Sequence, residues 1–162
     1  MTFKLSAQLD REDINPNEAF RKYKEYVEEN RDKFPSSVLS LMEDDRWYGG
    51  SNTIAPYYSH PKSIHLTCIG KGNAKLDLVL EKGDYLEKPI EIYISYIGVY
   101  KTDIPTFDWV IENSWPWRYD QFLVFDGSEE YETSEKLFLH QIEWVGGKIL
   151  SVIARDVKVE WK

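Results

Sequence analysis

The sequence predicts an α+β fold. In it, a mostly antiparallel curved sheet or partly closed barrel of about six to eight strands packs against one long N-terminal helix and a short second helix. Aromatic residues, which favour pleated and half-buried surfaces, make up 15% of the 162 residues. Apolar and polar residues alternate in segments that turn residues separate roughly every eight to twelve positions, which is typical of an antiparallel meander. No linker, repeat or low-complexity segment interrupts the pattern, so residues 1–162 are predicted to form a single domain.

The N-terminal part of the chain is predicted to contain one strand and two helices. Alternation over residues 3–9 predicts the strand, and Asn15 followed by Pro16 is a typical helix start. The long helix extends to Lys33, and a second helix with a capping serine spans residues 36–42. The side chains predicted to face the core are Phe20, Tyr23, Tyr26 and Val27 of the first helix, and Val38, Leu39 and Leu41 or Met42 of the second.

The rest of the chain is predicted to form one long loop and a series of strands. Residues 46–63 have no periodicity, which favours an ordered and functional loop, and a strand around Trp47 and Tyr48 is the alternative. Two glycines at 146–147 supply the positive φ angles of a tight hairpin turn. The predicted strands are residues 64–69, 75–81, 90–96, 107–111, 119–125, 138–145, 148–154 and 157–161.

The net charge of −8 is concentrated in one segment. Between Thr102 and Glu135 the chain has nine acidic residues and a single basic one, Arg118, whereas the remaining residues have nineteen of each kind. Such a field attracts a basic partner and repels nucleic acid and anionic membranes. There is no apolar run of the ~18 residues that a membrane helix needs, no signal-like N-terminus and no second cysteine. We therefore expect a cytoplasmic protein that binds neither nucleic acid nor membrane.

Sequence motifs for catalysis or for a cofactor are absent, including those for phosphate, dinucleotide and zinc binding. Cys68 is predicted to be a packed core residue, and His60, His65 and His140 lack metal-binding spacing. The acidic loop at 125–135 lacks the glycine that a calcium loop requires at its sixth position, so a solvated turn is predicted there. The expectation is a protein that is not an enzyme and has no cofactor or metal. A hydrolase with His140 or His65 beside a buried acid is a third hypothesis.

The acidic segment also contains tryptophan and tyrosine, and two interpretations of it are open. In the first, the rings face the core and Pro116 marks a bend between strands. In the second, exposed aromatic side chains surrounded by acids form the centre of a protein-binding surface. The residues predicted to contact a basic partner are Trp115, Trp117, Arg118, Tyr119, Asp126, Glu129, Glu130 and Glu132.

We therefore expect a non-enzymatic protein-binding domain whose acidic, aromatic face engages a basic protein. Its general character, small and acidic without catalytic motifs, is similar to that of bacterial toxin-immunity proteins, which makes an immunity-type inhibitor the concrete form of this hypothesis. The alternative is a small-molecule or carbohydrate-binding barrel whose mouth is lined by Trp47, Tyr48, Tyr57 and Tyr58. Self-association through exposed tryptophans is open as well.

Overall fold

One open antiparallel sheet covered by helices forms the protein. The computed structural model describes residues 15–48, 54–70, 73–83, 88–106 and 116–162. The strands predicted at residues 3–9 and 107–111 lie outside this part of the chain. The described residues form a six-stranded curved sheet and three helices, which confirms the predicted α+β class, and the sheet does not close into a barrel.

The sheet consists of two meanders that join at its centre. Its strands are β1 (His60–Thr67), β2 (Ala74–Lys82), β3 (Ile90–Asp103), β4 (Trp117–Phe125), β5 (Leu137–Trp144) and β6 (Lys148–Trp161). They lie in the order β1-β2-β3-β6-β5-β4, and every neighbouring pair is antiparallel. Because β6 pairs with both β3 and β5, the strand that comes last in the chain connects the two halves of the sheet.

The first helix follows its sequence signals closely. Helix α1 (Pro16–Glu29) begins after Asn15, whose side-chain oxygen accepts a hydrogen bond from the backbone N–H of Asn17 at 2.9 Å. A short 3₁₀ turn (Arg31–Lys33) continues it to the predicted end. Ala19, Tyr23 and Val27 are buried. Phe20 is 40% exposed, so its predicted core position is wrong: Ala19, one residue earlier, takes the place that faces the sheet.

Two short helices follow, and both differ from the predictions in detail. Helix α2 (Ser36–Met42) buries Val38 and Leu41 as predicted, but Pro35 occupies its N-cap position and no serine side chain caps it. Helix α3 (Asp45–Tyr48) lies where a loop or a strand was predicted. A single helical turn is too short to display a helical period, which explains why the sequence pattern did not reveal it.

Three strands differ most from their predicted bounds. β1 begins at His60 and not at residue 64, and β6 is one strand where two were predicted. β3 continues to Asp103, beyond its predicted end. A bulge interrupts the alternation on which the prediction was based: Ala74 pairs with Val99 and Lys75 pairs with Ile97, so Gly98 has no partner on β2. Gly98 has φ +63°, and the side chain of Arg155 lies directly over it, so a β-carbon at this position would force that side chain to shift.

The core lies between the helices and one face of the sheet. It contains fully buried side chains from five strands, β2 to β6, among them Leu78, Ile94, Phe122, Trp144 and Val152. Tyr23 of α1, Phe34 and Trp47 of α3 close it from the helical side. Among the described residues, no helix is long and apolar enough to cross a membrane.

The outer edge of β4 is occupied by tyrosine hydroxyl groups of helix α1. The hydroxyl of Tyr23 accepts a hydrogen bond from the backbone N–H of Phe122 at 2.7 Å and donates one to the carbonyl of the same residue at 3.0 Å. The hydroxyl of Tyr26 accepts one from the N–H of Val124 at 3.0 Å. These side chains satisfy backbone groups that would otherwise be unpaired at an edge strand.

Candidate functional site

The residues predicted to form one partner-binding face lie at the two ends of β4. Arg118 and Tyr119 are near the start of this strand, whereas Asp126 follows its last residue. Seven residues of extended chain separate Tyr119 from Asp126, which is about 23 Å at ~3.3 Å per residue. The prediction of a single acidic and aromatic face is therefore corrected to two separate surfaces.

Trp117 belongs to the core. Its side chain is 2% exposed and packs edge to face against Trp47 and Trp144, with ring centroids 5.7 and 5.6 Å apart. The prediction that Trp117 is an exposed partner contact is therefore wrong, and the first interpretation of its ring is confirmed. Trp115 lies outside the described residues. Pro116 directly precedes β4.

The acidic loop, which we define as residues 126–135 between β4 and β5, is ordered and exposed. Asp126 Oδ1 accepts a hydrogen bond from the backbone N–H of Ser128 at 3.0 Å, and the N–H of Tyr131 donates to the carbonyl of Gly127 at 2.9 Å. The hydrogen bonds from Ser128 hold the pKa of the Asp126 carboxyl below its usual value. The exposed carboxylates of this loop are Asp126, Glu129, Glu130, Glu132 and Glu135.

Aromatic rings of the sheet pack against the ring of Tyr131 in the acidic loop. The ring of Tyr131 lies 5.0 Å from that of Tyr100 and 5.8 Å from that of Phe125. Partial burial, and then the charge of Glu130, raises the pKa of the Tyr131 hydroxyl. Glu135 is tied to the sheet, since it accepts a hydrogen bond from the Tyr100 hydroxyl at 3.1 Å and pairs with Arg155 at 3.3 Å. The Tyr131 and Glu135 side chains therefore anchor the acidic loop to the sheet.

A second loop, residues 54–59, is pinned to the sheet by several hydrogen bonds. The ammonium group of Lys82, 3% exposed, donates to the carbonyls of Ala55 at 2.6 Å and Tyr57 at 2.8 Å. Burial removes water from this ammonium group and lowers its pKa. The N–H of Tyr58 donates to the carbonyl of Trp117 at 2.9 Å, and the N–H of Trp117 donates to the carbonyl of Ser59 at 2.8 Å.

This pinned loop presents two exposed tyrosines beside the start of β4. Tyr57 and Tyr58 are 52% and 53% exposed, and their rings meet at 75° with centroids 4.4 Å apart. The guanidinium of Arg118 lies 4.6 Å from the centroid of the Tyr119 ring and 3.4 Å from Glu143. Partial desolvation raises the pKa of the Tyr57 hydroxyl; Tyr58 and Tyr119 raise it further and Arg118 lowers it. We call Tyr57, Tyr58, Arg118 and Tyr119 the tyrosine surface.

The tyrosine surface unites residues that the sequence had assigned to two different hypotheses. Tyr57 and Tyr58 were predicted to bind a ligand, and Arg118 and Tyr119 to bind a partner. The hydrogen bonds between residues 58–59 and Trp117 bring them together. These segments are almost sixty positions apart in sequence, and their proximity depends on a backbone pairing outside the regular strands, so no local sequence signal could have revealed it.

Trp47 and Tyr48, the other predicted ligand contacts, belong to a buried polar network. Asp120 Oδ2 accepts hydrogen bonds from Trp47 Nε1 and from the Tyr48 hydroxyl, both at 3.2 Å, and lies 2.9 Å from His140 Nε2. The Tyr96 hydroxyl lies 2.7 Å from His140 Nδ1. Trp47 is 3% exposed and the sheet is open, so the prediction that Trp47 lines the mouth of a barrel is wrong.

The network meets only half of what the hydrolase hypothesis requires. His140 does lie beside a buried acid, but its side chain is 0% exposed and its ring stacks on Phe122 at 3.9 Å. Burial, and then the negative charge of Asp120, raises the pKa of the Tyr48 and Tyr96 hydroxyls well above the usual value. The side chain of His140 is therefore not accessible from the surface of the structure.

His60 and His65 lie on β1, and Cys68 directly follows that strand. Cys68 is exposed, so the prediction of a packed cysteine is wrong. Within the described ranges, no group of three His, Cys, Asp or Glu side chains could hold a metal ion. A shallow groove of about 260 Å³ lies between α2, α3 and β6. Its arginine, Arg46, is held by Asp44 at 2.7 Å and stacks on Trp161 at 4.1 Å.

Comparison with known proteins gives no match to a protein-family model, to a curated protein or to a solved structure.

Proposed function

We propose that this protein is a non-enzymatic binding domain that engages a basic protein partner through its acidic loop. The observation that supports the proposal is the arrangement of residues 126–135: five exposed carboxylates, no basic residue within the loop, and a backbone held in turns. Because the loop is already ordered, binding would cost little conformational entropy.

The charge distribution favours a basic partner over other ligands. Of the five carboxylates, Glu135 pairs with Arg155, and Asp126, Glu129 and Glu130 are exposed. Exposed charges of one sign speed diffusional encounter with the opposite sign and repel anions, nucleic acid included. Screening acts over ~10 Å at 0.1 M salt, so association should weaken as salt rises.

Aromatic side chains at the base of the loop add contact area to this charge. Tyr131 is half-buried between Tyr100 and Phe125, and its rim is flanked by Glu130 and Glu132. A tyrosine surrounded by polar residues is typical of protein-binding hot spots. An immunity-type inhibitor that covers a basic active site is the concrete form of the proposal.

The test compares two variants with the same change in net charge. One replaces Glu129, Glu130 and Glu132 with glutamine; the control replaces Glu18, Glu25 and Glu28, three exposed glutamates of α1, in the same way. Each protein is used to capture partners from extract of its own cells. The retained basic protein is then purified, and its association rate is measured at about 50 and about 500 mM salt.

The proposal expects the loop variant to lose at least about tenfold in association rate, and the wild type to lose a similar factor at high salt. The helix variant should bind like wild type. If both variants lost association rate equally, the net charge alone would explain the loss and the acidic loop would not be the binding site. Binding that is insensitive to salt would contradict the proposal.

A further inference from the structure

We infer that the outer edge of β1 pairs with β1 of a second copy of this chain, so that two sheets join into one continuous sheet. Three features of the molecule support this: the open backbone along β1, the residues that self-pairing brings together, and the occupied backbone at the opposite edge of the sheet. Self-pairing through β1 does not depend on the function proposed for the acidic loop.

The backbone along the outer side of β1 has no partner among the described residues. β2 pairs with one side of β1, and outside that ladder residues 60–69 make no backbone hydrogen bond to a described residue. Residues 63–67 pair with β2 without interruption, so their outward N–H and C=O groups are regularly spaced. Four of these five residues are exposed. An added strand would therefore meet an accessible and regular template.

The start of β1 contains features that prevent edge pairing, and the rest of the strand lacks them. Pro61 has no backbone N–H, and a bulge leaves Lys62 without a partner on β2. Proline, lysine and bulges are common means of protecting the edge of a sheet. Residues 63–69 contain none of these, and Leu66 and Ile69 are 41% and 76% exposed. This stretch therefore combines open backbone with exposed apolar side chains.

The regular part of β1 is complementary to itself. Two-fold symmetry makes the strand its own antiparallel partner, with the axis at the centre of the run, His65. Ser63 then lies opposite Thr67 of the second copy, and Ile64 lies opposite Leu66. Ile64 packs against the core, and Leu66, two residues later, lies on the same face of the sheet. The second strand therefore continues the apolar face of the first.

The distribution of charge suits a second copy at this edge. Residues 63–69 contain no Asp, Glu, Lys or Arg, so self-pairing places no such side chains opposite each other. Lys62, just before this stretch, pairs with Glu81 at 3.6 Å and with Glu91. The acidic loop follows β4, the strand at the other edge of the sheet. Two copies of net charge −8 can therefore meet through β1 with their acidic loops on the outermost strands.

The opposite edge of the sheet limits this association to two copies. Hydroxyl groups of Tyr23 and Tyr26 occupy the edge of β4, and residues 58–59 pair with Trp117 at its start. These contacts block the head-to-tail pairing of β1 with β4 that would produce an open filament, whereas pairing of β1 with itself is closed. One pair of short strands should bury less than the ~1,200 Å² of a standard interface, so we expect a weak dimer with Kd of about 10–100 μM.

The experiment is sedimentation equilibrium of the full chain at about 5–500 μM, with reductant present so that the exposed Cys68 forms no disulfide. Wild type is compared with two variants that differ only at position 63. Ser63→Glu/Thr67→Glu places like charges opposite each other in both symmetric pairs, whereas Ser63→Lys/Thr67→Glu places opposite charges there. Both positions are exposed, and circular dichroism shows whether each variant is folded.

Wild type should approach twice its mass of 19.1 kDa as the concentration rises. Ser63→Glu/Thr67→Glu should weaken the dimer at least about threefold, and Ser63→Lys/Thr67→Glu should dimerise at least as tightly as wild type. Salt at about 500 mM should reduce the difference between the variants, because it screens exposed charges. A wild type that stays monomeric up to about 500 μM, or a dimer with the same Kd in both folded variants, would overturn the inference.

Discussion

Asp120 offers the sharpest test of how the core is held together. One of its carboxylate oxygens accepts hydrogen bonds from Trp47 Nε1 and the Tyr48 hydroxyl and lies 2.9 Å from His140 Nε2, and the residue is 9% exposed. Asp120→Ala would leave three buried donor groups without their acceptor. A buried group that loses its partner costs about 1–3 kcal/mol, so the three together should lower the free energy of unfolding by about 3–9 kcal/mol.

That loss is comparable to the whole stability of a typical domain, about 5–15 kcal/mol. Tyr48→Phe removes one donor and keeps the carboxylate, so it should lower the free energy of unfolding by only about 1 kcal/mol. This variant should remain folded even where Asp120→Ala does not. The assay is urea unfolding followed by circular dichroism and tryptophan fluorescence, with the midpoint and slope compared between variants. Glu129→Ala, at an exposed acid of the loop that follows the same strand, should leave the midpoint unchanged.

An Asp120→Ala variant that unfolds within about 1 kcal/mol of wild type would refute this reasoning. It would mean that water or a rearranged side chain replaces the carboxylate, and that the network is not a significant source of stability.

Three further predictions concern other parts of the fold. Burial raises the pKa of the Tyr23, Tyr48 and Tyr96 hydroxyls above the value in the unfolded chain. Their contribution to the free energy of unfolding is therefore complete below pH ~10 and falls as the pH rises, by up to about 1.4 kcal/mol per group and pH unit. Urea denaturation between about pH 9 and 11.5 should show this fall, and Tyr96→Phe should make the decrease of stability with pH less steep. Tyr23→Phe should lower the free energy of unfolding by about 1–3 kcal/mol and Tyr26→Phe by about 1 kcal/mol, because backbone groups of β4 lose their hydrogen-bond partners. Urea midpoints equal to that of wild type would argue against a stabilising role for these contacts at the edge of the sheet. Gly98→Ala should cost about 1–3 kcal/mol, because an arginine side chain occupies the space of the new methyl group and the φ angle is positive; a thermal midpoint equal to that of wild type would contradict this.

Local signals were enough to predict most of the elements. Asn15 and Pro16 predicted the start of α1, and alternation predicted β2 and the β5–β6 hairpin, because each of these segments buries one face against the helices. The errors arose where a local irregularity broke the period. Gly98 shifts the register of β3, and α3 is a single turn.

The site could be predicted less well, because it depends on which segments become neighbours. Counting acids along the chain suggested one face, whereas β4 places Tyr119 and Asp126 at opposite ends. Asp120 and His140 are diagonal neighbours on the paired strands β4 and β5, and no sequence pattern specified that pairing. Trp117 shows the limit of composition: a tryptophan in an acidic segment can be a binding residue or a core residue, and only its packing decides.

The central position of β6 has a consequence for the synthesis of the protein. The ribosome delivers this strand after the other five, so the halves formed by β1–β3 and by β4–β5 cannot join until residues 148–161 have emerged. Until then, the inner edges of both halves expose unpaired backbone and apolar rows that include Ile94 and Ile142. A product that stops before β6 would therefore not fold as a smaller domain. Its two halves would remain separate and prone to aggregation, and chaperones and proteases would act on them.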